Sequence, residues 1–302
     1  MRPIIITLVA VAAFTHVAGV RAMQVNAVGH QIILSGPVVG DELGKVNAIL
    51  AENPEIDTAI LRNSPGGHAP TGYHIGELFR ARGLLTAVSG FCNSSCSRVF
   101  LGGKRRFFTD DFPPEYTHVG FHGHYDGKGR LTTDAVKRFG LKDWIIKYSD
   151  GKADSELLDR WISIPLSIGM IHFYHPERFA RDGASTFMCQ GSEPMARSVN
   201  GCEPIFKTAL DLGIVTSLDT VKSEDQVDVR ALLLDRPKAS GFAAIEDVGK
   251  VLLRSDRGRR EYESFLAAPL PRAMALSVDG LVSAWNAGKF EATRLALQRC
   301  EQ

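Results

Sequence analysis

Apolar and polar positions alternate between two rhythms along the first two thirds of the chain. Ile32-Ile33-Leu34 and Thr58 to Leu61 are short apolar runs of strand length, and between them Leu43, Val46, Ile49 and Leu50 recur at helical spacing. This predicts a β-α-β unit. Thr71 to Arg82 places Ile75, Leu78 and Phe79 on one helix face, Leu85 to Val88 reads as the next strand, and Gly90 turns the chain into a second apolar helix with Val99, Phe100 and Leu101. Strand followed repeatedly by helix predicts an α/β fold with a largely parallel sheet and right-handed crossovers.

The rhythm then loosens. Phe107-Phe108 precedes a loop with Asp110, Asp111, Pro113 and Pro114, and Thr117 to His124 reads as another strand. Residues 125–159 are rich in Gly, Lys and Asp around Trp144, Ile145 and Ile146, which predicts an inserted helix or lid outside the core. Apolar content returns at Glu156 to Ile162, Ile164 to Tyr174 and Thr208 to Val215, where Gly213 suits a helix C-cap. The main domain is therefore expected over 23–220. Charges at Lys222, Glu224, Asp225 and Asp228, punctuated by Pro237 and Gly241, predict a linker or peripheral helix over 221–250. A helix is expected over Phe242 to Phe265. Ala273 to Ser277 and Leu281 to Trp285 around Asp279-Gly280 read as a hairpin, and Phe290 to Arg299 as a final helix, so 251–302 forms a small α+β module whose default role is binding or packing.

Residues 1–22 change the picture of compartment. Arg2, the apolar run Ile4 to Phe14 and small residues at Val20 and Ala22 have the layout of a secretory signal peptide cleaved after Ala22; the alternative is an uncleaved anchor. No later stretch is long and apolar enough to span a membrane, so an exported, periplasmic or secreted chain is expected. The 35 basic and 34 acidic residues nearly cancel and give no footprint for nucleic acid or an acidic membrane surface. The basic run Lys104-Arg105-Arg106 reads as a solvated helix exit. Five cysteines in an exported chain predict disulfides with one left over. Cys189 and Cys202 flank a polar loop, Cys92 and Cys96 lie a helical turn apart, as a bridge or as two buried thiols, and Cys300 is the odd residue. The cysteine spacing does not favour zinc, and no residue pattern calls for another metal or a cofactor.

The candidate chemistry lies in Ser64-Pro65-Gly66-Gly67 and in Gly90-Phe91-Cys92-Asn93-Ser94-Ser95-Cys96. After a buried strand, the glycines permit positive φ and leave N–H groups aimed at a ligand, as an oxyanion hole requires; the Gly67 and Ser95 N–H groups are the candidates. Ser94 falls at a strand-to-helix junction, where the helix N-terminus favours developing negative charge. Downstream, His118, His122 and His124 would share one strand face and admit three readings: a general base at His122, a His-x-His metal pair, or satisfied polar residues at a strand end.

This order of motifs resembles the Clp-type serine protease branch of the ClpP/crotonase superfamily, and more narrowly its exported Clp protease-like periplasmic proteins. The resemblance covers about Val25 to Thr216 and is strongest from Ile56 to His122. It implies a spiral of ββα units, Ser94 as nucleophile, His122 in its Gly-Phe-His segment as base, and a peptide or protein substrate; it fixes no oligomeric state. The family's aspartate is the departure. Ser185-Thr186-Phe187 occupies its place and Asp182 is the nearest acid, so the site runs through Asp182, through a Ser–His dyad, or not at all, leaving a crotonase-fold binding or scaffold protein. An acyl-CoA-handling activity ranks behind these, because export removes the chain from the usual CoA pool.

Overall fold

The computed structural model describes residues 22–133, 139–193, 199–225, 227, 246–268, 272–277, 280–281 and 283–287, with positions 292, 296, 299 and 300. The signal peptide expected over 1–22 lies outside them except for Ala22, as does most of the expected 221–250 linker.

Among the described residues, ten strands make one mixed sheet: β1 (Gln24–Val28), β2 (Gln31–Ser35), β3 (Thr58–Ser64), β4 (Leu85–Asn93), β5 (Arg105–Thr109), β6 (His118–Phe121), β7 (Met170–Tyr174), β8 (Thr186–Cys189), β9 (Glu203–Ile205) and β10 (Thr220–Val221). The pairings β2–β3, β3–β4, β4–β5, β4–β6 and β5–β10 are parallel, and β1–β2, β6–β7, β7–β8 and β8–β9 are antiparallel. The chain therefore has the expected α/β fold around a largely parallel centre. Strand β1 was not expected, because its Gln24, Asn26 and Ala27 break the apolar run on an exposed edge.

β4 is longer than its apolar run. It pairs with β5 through Leu85 to Val88 and with β6 through Phe91 to Asn93, so it feeds two neighbours in turn. Gly90, expected to begin the helix, is instead the switch between them, at φ 76 with Asn63 Oδ1 only 2.0 Å from where a Cβ would stand. Asn93 then lies opposite Gly120, and Ser94 emerges beside the end of β6.

Helices α1 (Glu42–Glu52), α2 (Ala69–Arg82), α3 (Ser95–Gly102), α4 (Leu141–Tyr148) and α5 (Ser155–Ile162) accompany the sheet. Val46, Ile75, Phe79, Val99 and Phe100 share one cluster with Leu34, Leu61 and Val88 of the strands. Leu141, Trp144, Ile145, Leu158 and Trp161 belong to the same cluster, so 125–159 is not a lid outside the core: its helices bury narrow apolar stripes that the polar residues between them obscure. The basic run also differs from expectation. Arg106 is fully buried and donates to the carbonyls of Gly103, Gly213 and Ile214, with Asp150 at 3.6 Å, while Lys104 and Arg105 face water. Thr208 to Val215 is a series of turns rather than a helix, closed by Gly213 at φ 64.

Near the C-terminus, α6 (Asp256–Ala267) begins with Ser255 accepting from the Gly258 N–H; of the helix expected over Phe242 to Phe265, residues 242–245 lie outside the described residues and 246–255 are not α-helical. β11 (Arg272–Leu276) and β12 (Ser283–Ala287) form the expected antiparallel hairpin. The final helix falls mostly outside the described residues. Cys92–Cys96 and Cys189–Cys202 are disulfides, and Cys300 is free.

Two predictions follow from this packing. Gly76 on α2 meets α3 so closely that a Cβ would stand 2.6 Å from the Arg98 carbonyl oxygen, whereas Gly83, the left-handed cap of α2, has nothing within 4 Å. Gly76→Ala should cost about 2 kcal/mol by overpacking, despite alanine's better helix propensity, and Gly83→Ala about 1 kcal/mol of backbone strain. Urea unfolding would detect a reversed order. Separately, opening Cys189–Cys202 with a Cys202→Ser change should cost about 3 kcal/mol, because the bridge closes a loop of 13 residues' separation; an unchanged urea midpoint would contradict this.

Candidate active site

The site is assembled from two turns brought together by the sheet. After β3, Gly66 and Gly67 adopt φ 87 and 139. A Cβ on Gly66 would lie 2.6 Å from Ser94 Cβ and 2.8 Å from the Ser95 nitrogen, so only glycine lets this turn lie against the start of α3. Gly67 bridges Val38, but the bonds run from the Val38 N–H to the Gly66 carbonyl (2.9 Å) and from the His68 N–H to the Val38 carbonyl (2.8 Å). The Gly67 N–H stands outside that pairing.

Ser94 is the N-cap of α3 at φ 55 and ψ −123, a costly conformation for a residue with a side chain. Its N–H donates to the Gly120 carbonyl at 3.0 Å, and its own carbonyl accepts from the Ser97 N–H (3.0 Å) and hydroxyl (2.6 Å). Its hydroxyl does not cap the helix and is free for other chemistry. Ser95 opens the helix, where its N–H has no intrahelical partner. The Cys92–Cys96 bridge joins the last turn of β4 to the first of α3 and so brackets Ser94.

β6 ends at Phe121, so the three histidines do not share one strand face. His122 turns to place Nε2 2.7 Å from Ser94 Oγ. His124 Nε2 meets Tyr73 Oη at 3.0 Å, while His118 stays on the strand with its ring 5.0 Å from His172 and 5.1 Å from Tyr174. Among the described residues no group of three His, Cys, Asp or Glu side chains is arranged to hold a metal.

Asp182 is not brought to His122. The register pairs Phe121 with Ile171 and Ile171 with Met188, which sets His122 near the Met170–Cys189 end of the β7–β8 hairpin. Asp182 is exposed in the turn beyond the opposite end, past the bond from the Tyr174 N–H to the Ser185 carbonyl. Ser185, Thr186 and Phe187 are buried on or beside β8 and offer no carboxylate. His122 Nδ1 is buried without a hydrogen-bond partner; main-chain groups of Gly169 and Ser167 lie near enough to favour the protonated ring but do not reach bonding geometry.

Burial is the largest influence on His122 and pushes its pKa to about 3, reinforced by the charges of Arg98 and His124. The imidazole is therefore neutral at pH 7, with Nε2 able to accept the Ser94 proton when Nδ1 carries its own. Three neighbours of the dyad escaped the sequence reading. Gly66, not Gly67, makes the close approach to Ser94; Tyr73 holds His124; and Arg98, four residues after Ser94 on α3, is buried and donates from Nη2 to the His122 carbonyl at 2.9 Å. The available signal for Arg98 was a lone charge immediately before the apolar run Val99-Phe100-Leu101.

No family model matches the chain, and no curated protein matches it. Among solved structures it is similar to ClpP1 from Listeria monocytogenes, at 17% identity and a TM-score of 0.38 over 64% of this chain and 92% of that one. A point mutant of the same enzyme matches at 17% and 0.38 over 65% and 94%. So distant a likeness transfers no residue roles.

The buried histidines make stability pH-dependent. Burial holds His118 and His124 near pKa 4, His122 near 3 and His172 well below its ordinary value, so the folded chain stays unprotonated where the unfolded chain takes up protons. Stability should be complete above pH ~6.5 and fall as pH drops toward ~4, by up to about 1.4 kcal/mol per pH unit for each histidine. A urea midpoint unchanged between about pH 7.5 and 5 would contradict neutral burial.

Proposed function

We propose that the protein is an exported serine hydrolase of the Clp type acting on peptides. The observation that carries this reading is the 2.7 Å approach of His122 Nε2 to Ser94 Oγ, with Ser94 on a strained strand-to-helix turn. Ser94 Oγ attacks the substrate carbonyl as His122 Nε2 takes its proton. The tetrahedral oxyanion is held by the Gly67 and Ser95 N–H groups, whose engagement is supported by the contact of the glycine turn with Ser94 and by the open N-terminus of α3. His122 returns the proton to the leaving amine, and a water, deprotonated by the same nitrogen, releases the acid and restores Ser94.

Main-chain groups of Gly169 and Ser167 approach Nδ1 without bonding it and no described acid stands there, which supports a Ser–His dyad rather than a triad. The lack of an acid beside Nδ1 also favours a second reading, a crotonase-fold binding protein without turnover. Export is supported by the two disulfides.

A fluorophosphonate probe should label Ser94 in folded protein and fail on Ser94→Ala, with His122→Ala slowing labelling by roughly 10²-fold or more. The labelling rate should persist as pH falls from about 7 to 5, because the base stays neutral there. A rate falling through a midpoint near ~6.5 would contradict the buried-base assignment, and no labelling of folded protein would leave the binding-protein reading.

A further inference from the structure

Arg98 has a charge that nothing in the dyad chemistry uses. Among the described residues Arg106 is the other fully buried arginine, and it meets three carbonyls and Asp150; of the half-buried ones, Arg62 pairs with Asp225 and lies 3.5 Å from Asp111, and Arg80 bonds the Gly102, Leu101 and Tyr148 carbonyls. Arg98 is 1% exposed, with Nη2 on the His122 carbonyl. Its Nε and Nη1 are shielded from water and make no hydrogen bond of full geometry; the Tyr73 hydroxyl, already on His124, is the polar group that approaches the guanidinium. Around it stand Tyr73, whose ring centroid is 5.9 Å from the guanidinium carbon, His122, His124 and Tyr125, each of which feels its charge. None is an acid. An uncompensated buried cation is costly, and one aimed at a reaction centre with free donors is a place for an anion.

We propose that Arg98 receives a carboxylate of the substrate beside the scissile carbonyl. The inference rests on the hydrolase reading and names its substrate class: peptides with an acidic side chain, or a free C-terminal carboxylate, next to the bond that is cut. Arg98 lies in the first turns of α3, the helix that Ser94 caps, and its guanidinium reaches the main chain of the residue whose ring meets Ser94. Its Nη2 already bonds the backbone of His122, so a ligand on its remaining donors lies against the dyad. Entry requires a covering side chain to move, and Phe139, 37% exposed and stacked 5.7 Å from Tyr73, is the most open ring of this group. A bound carboxylate also offsets the Arg98 charge that lowers the basicity of His122, so the substrate brings the negative charge that the protein omits.

Calorimetry with full-length Ser94→Ala protein and three blocked residues tests this. N-acetylglutamate amide carries only a side-chain carboxylate, N-acetylglutamine only a C-terminal one, and N-acetylglutamine amide neither. One of the acids should bind at least roughly tenfold more tightly than the neutral amide, and which one identifies the carboxylate's source. Arg98→Gln should abolish the preference and Arg98→Lys restore part of it. Nuclear magnetic resonance of His122 should show its titration moving to higher pH when the acid binds. This readout and the three-ligand comparison need no Arg98 variant and decide the matter should those variants fail to fold. Equal affinity for acid and amide, no binding of either acid, or a preference that survives Arg98→Gln in folded protein would overturn the proposal. Fluorophosphonate labelling of the wild-type chain separates the two readings: labelling without acid preference sinks the carboxylate site alone, and acid preference without labelling sinks the hydrolase.

Discussion

The backbone contact between the glycine side of α2 and the length of α3 is the constraint on which the rest of the structure depends. A Cβ on Gly72 would stand 2.4 Å from the Ser95 carbonyl oxygen, one on Gly76 would stand 2.6 Å from that of Arg98, and one on Gly102 would stand 2.2 Å from that of Gly76. With Gly66 against Ser94 and Ser95, the chain from 66 to 76 tracks α3 from before its first turn to its last. Close packing at this range leaves no room for small adjustments, so the Ser94 turn is fixed by helix packing as well as by its own strand. The split pairing of β4 sets the other coordinate. By leaving β5 for β6 at Gly90, the strand carries Ser94 to the one edge where His122 emerges.

The fold was legible where burial matched a simple pattern, a continuous apolar run for a strand covered on both faces or helical spacing for a helix covered on one. β2 and β3 are short continuous apolar runs and α1 and α2 carry recurring apolar positions, and the structure extends each by only a few residues. Legibility failed where packing overrides local pattern. Gly90 looks like a helix start because glycine interrupts an apolar run, yet its positive φ serves a strand that changes neighbours. Arg106 looks solvated because it sits in a basic triplet, yet carbonyls from a segment more than a hundred residues later surround it. At the site, Ser94 and His122 could be singled out by their motifs. Arg98 and Tyr73 could not, because what distinguishes them is the absence of a partner or the identity of a distant one, and neither is written in a local spacing.

Charge inside this domain follows two rules. Around β3 and β5 the buried guanidiniums are met by carboxylates or carbonyls, which fixes the strand ends and ties down the segment around Ser223 and Asp225. Around the dyad the rule is reversed: neutral imidazoles and phenols surround a cation with no acid beside it. In the first arrangement each charge has its partner, so removing one strands the other at a large cost. The second is held in place by the surrounding packing, and its electrostatic cost is an expected property of a site that completes itself with a ligand.

The same imbalance shapes what a dyad can do here. Proton transfer from Ser94 creates an imidazolium in a site whose burial and neighbouring cation both oppose it, and the carbonyl dipoles near Gly169 and Ser167 only partly favour it. In a triad, a carboxylate supplies the opposing charge permanently. Without one, the ground state of His122 is well poised to accept a hydrogen bond from Ser94 and poorly poised to keep the proton. Turnover on the proposed reading therefore requires negative charge that appears with the substrate, as the developing oxyanion near Gly67 and Ser95 and as a carboxylate on Arg98. A substrate lacking the second would form the same first contacts yet face the full cost of a buried ion pair's missing half, which makes the electrostatics of Arg98 a matter of rate as well as of binding.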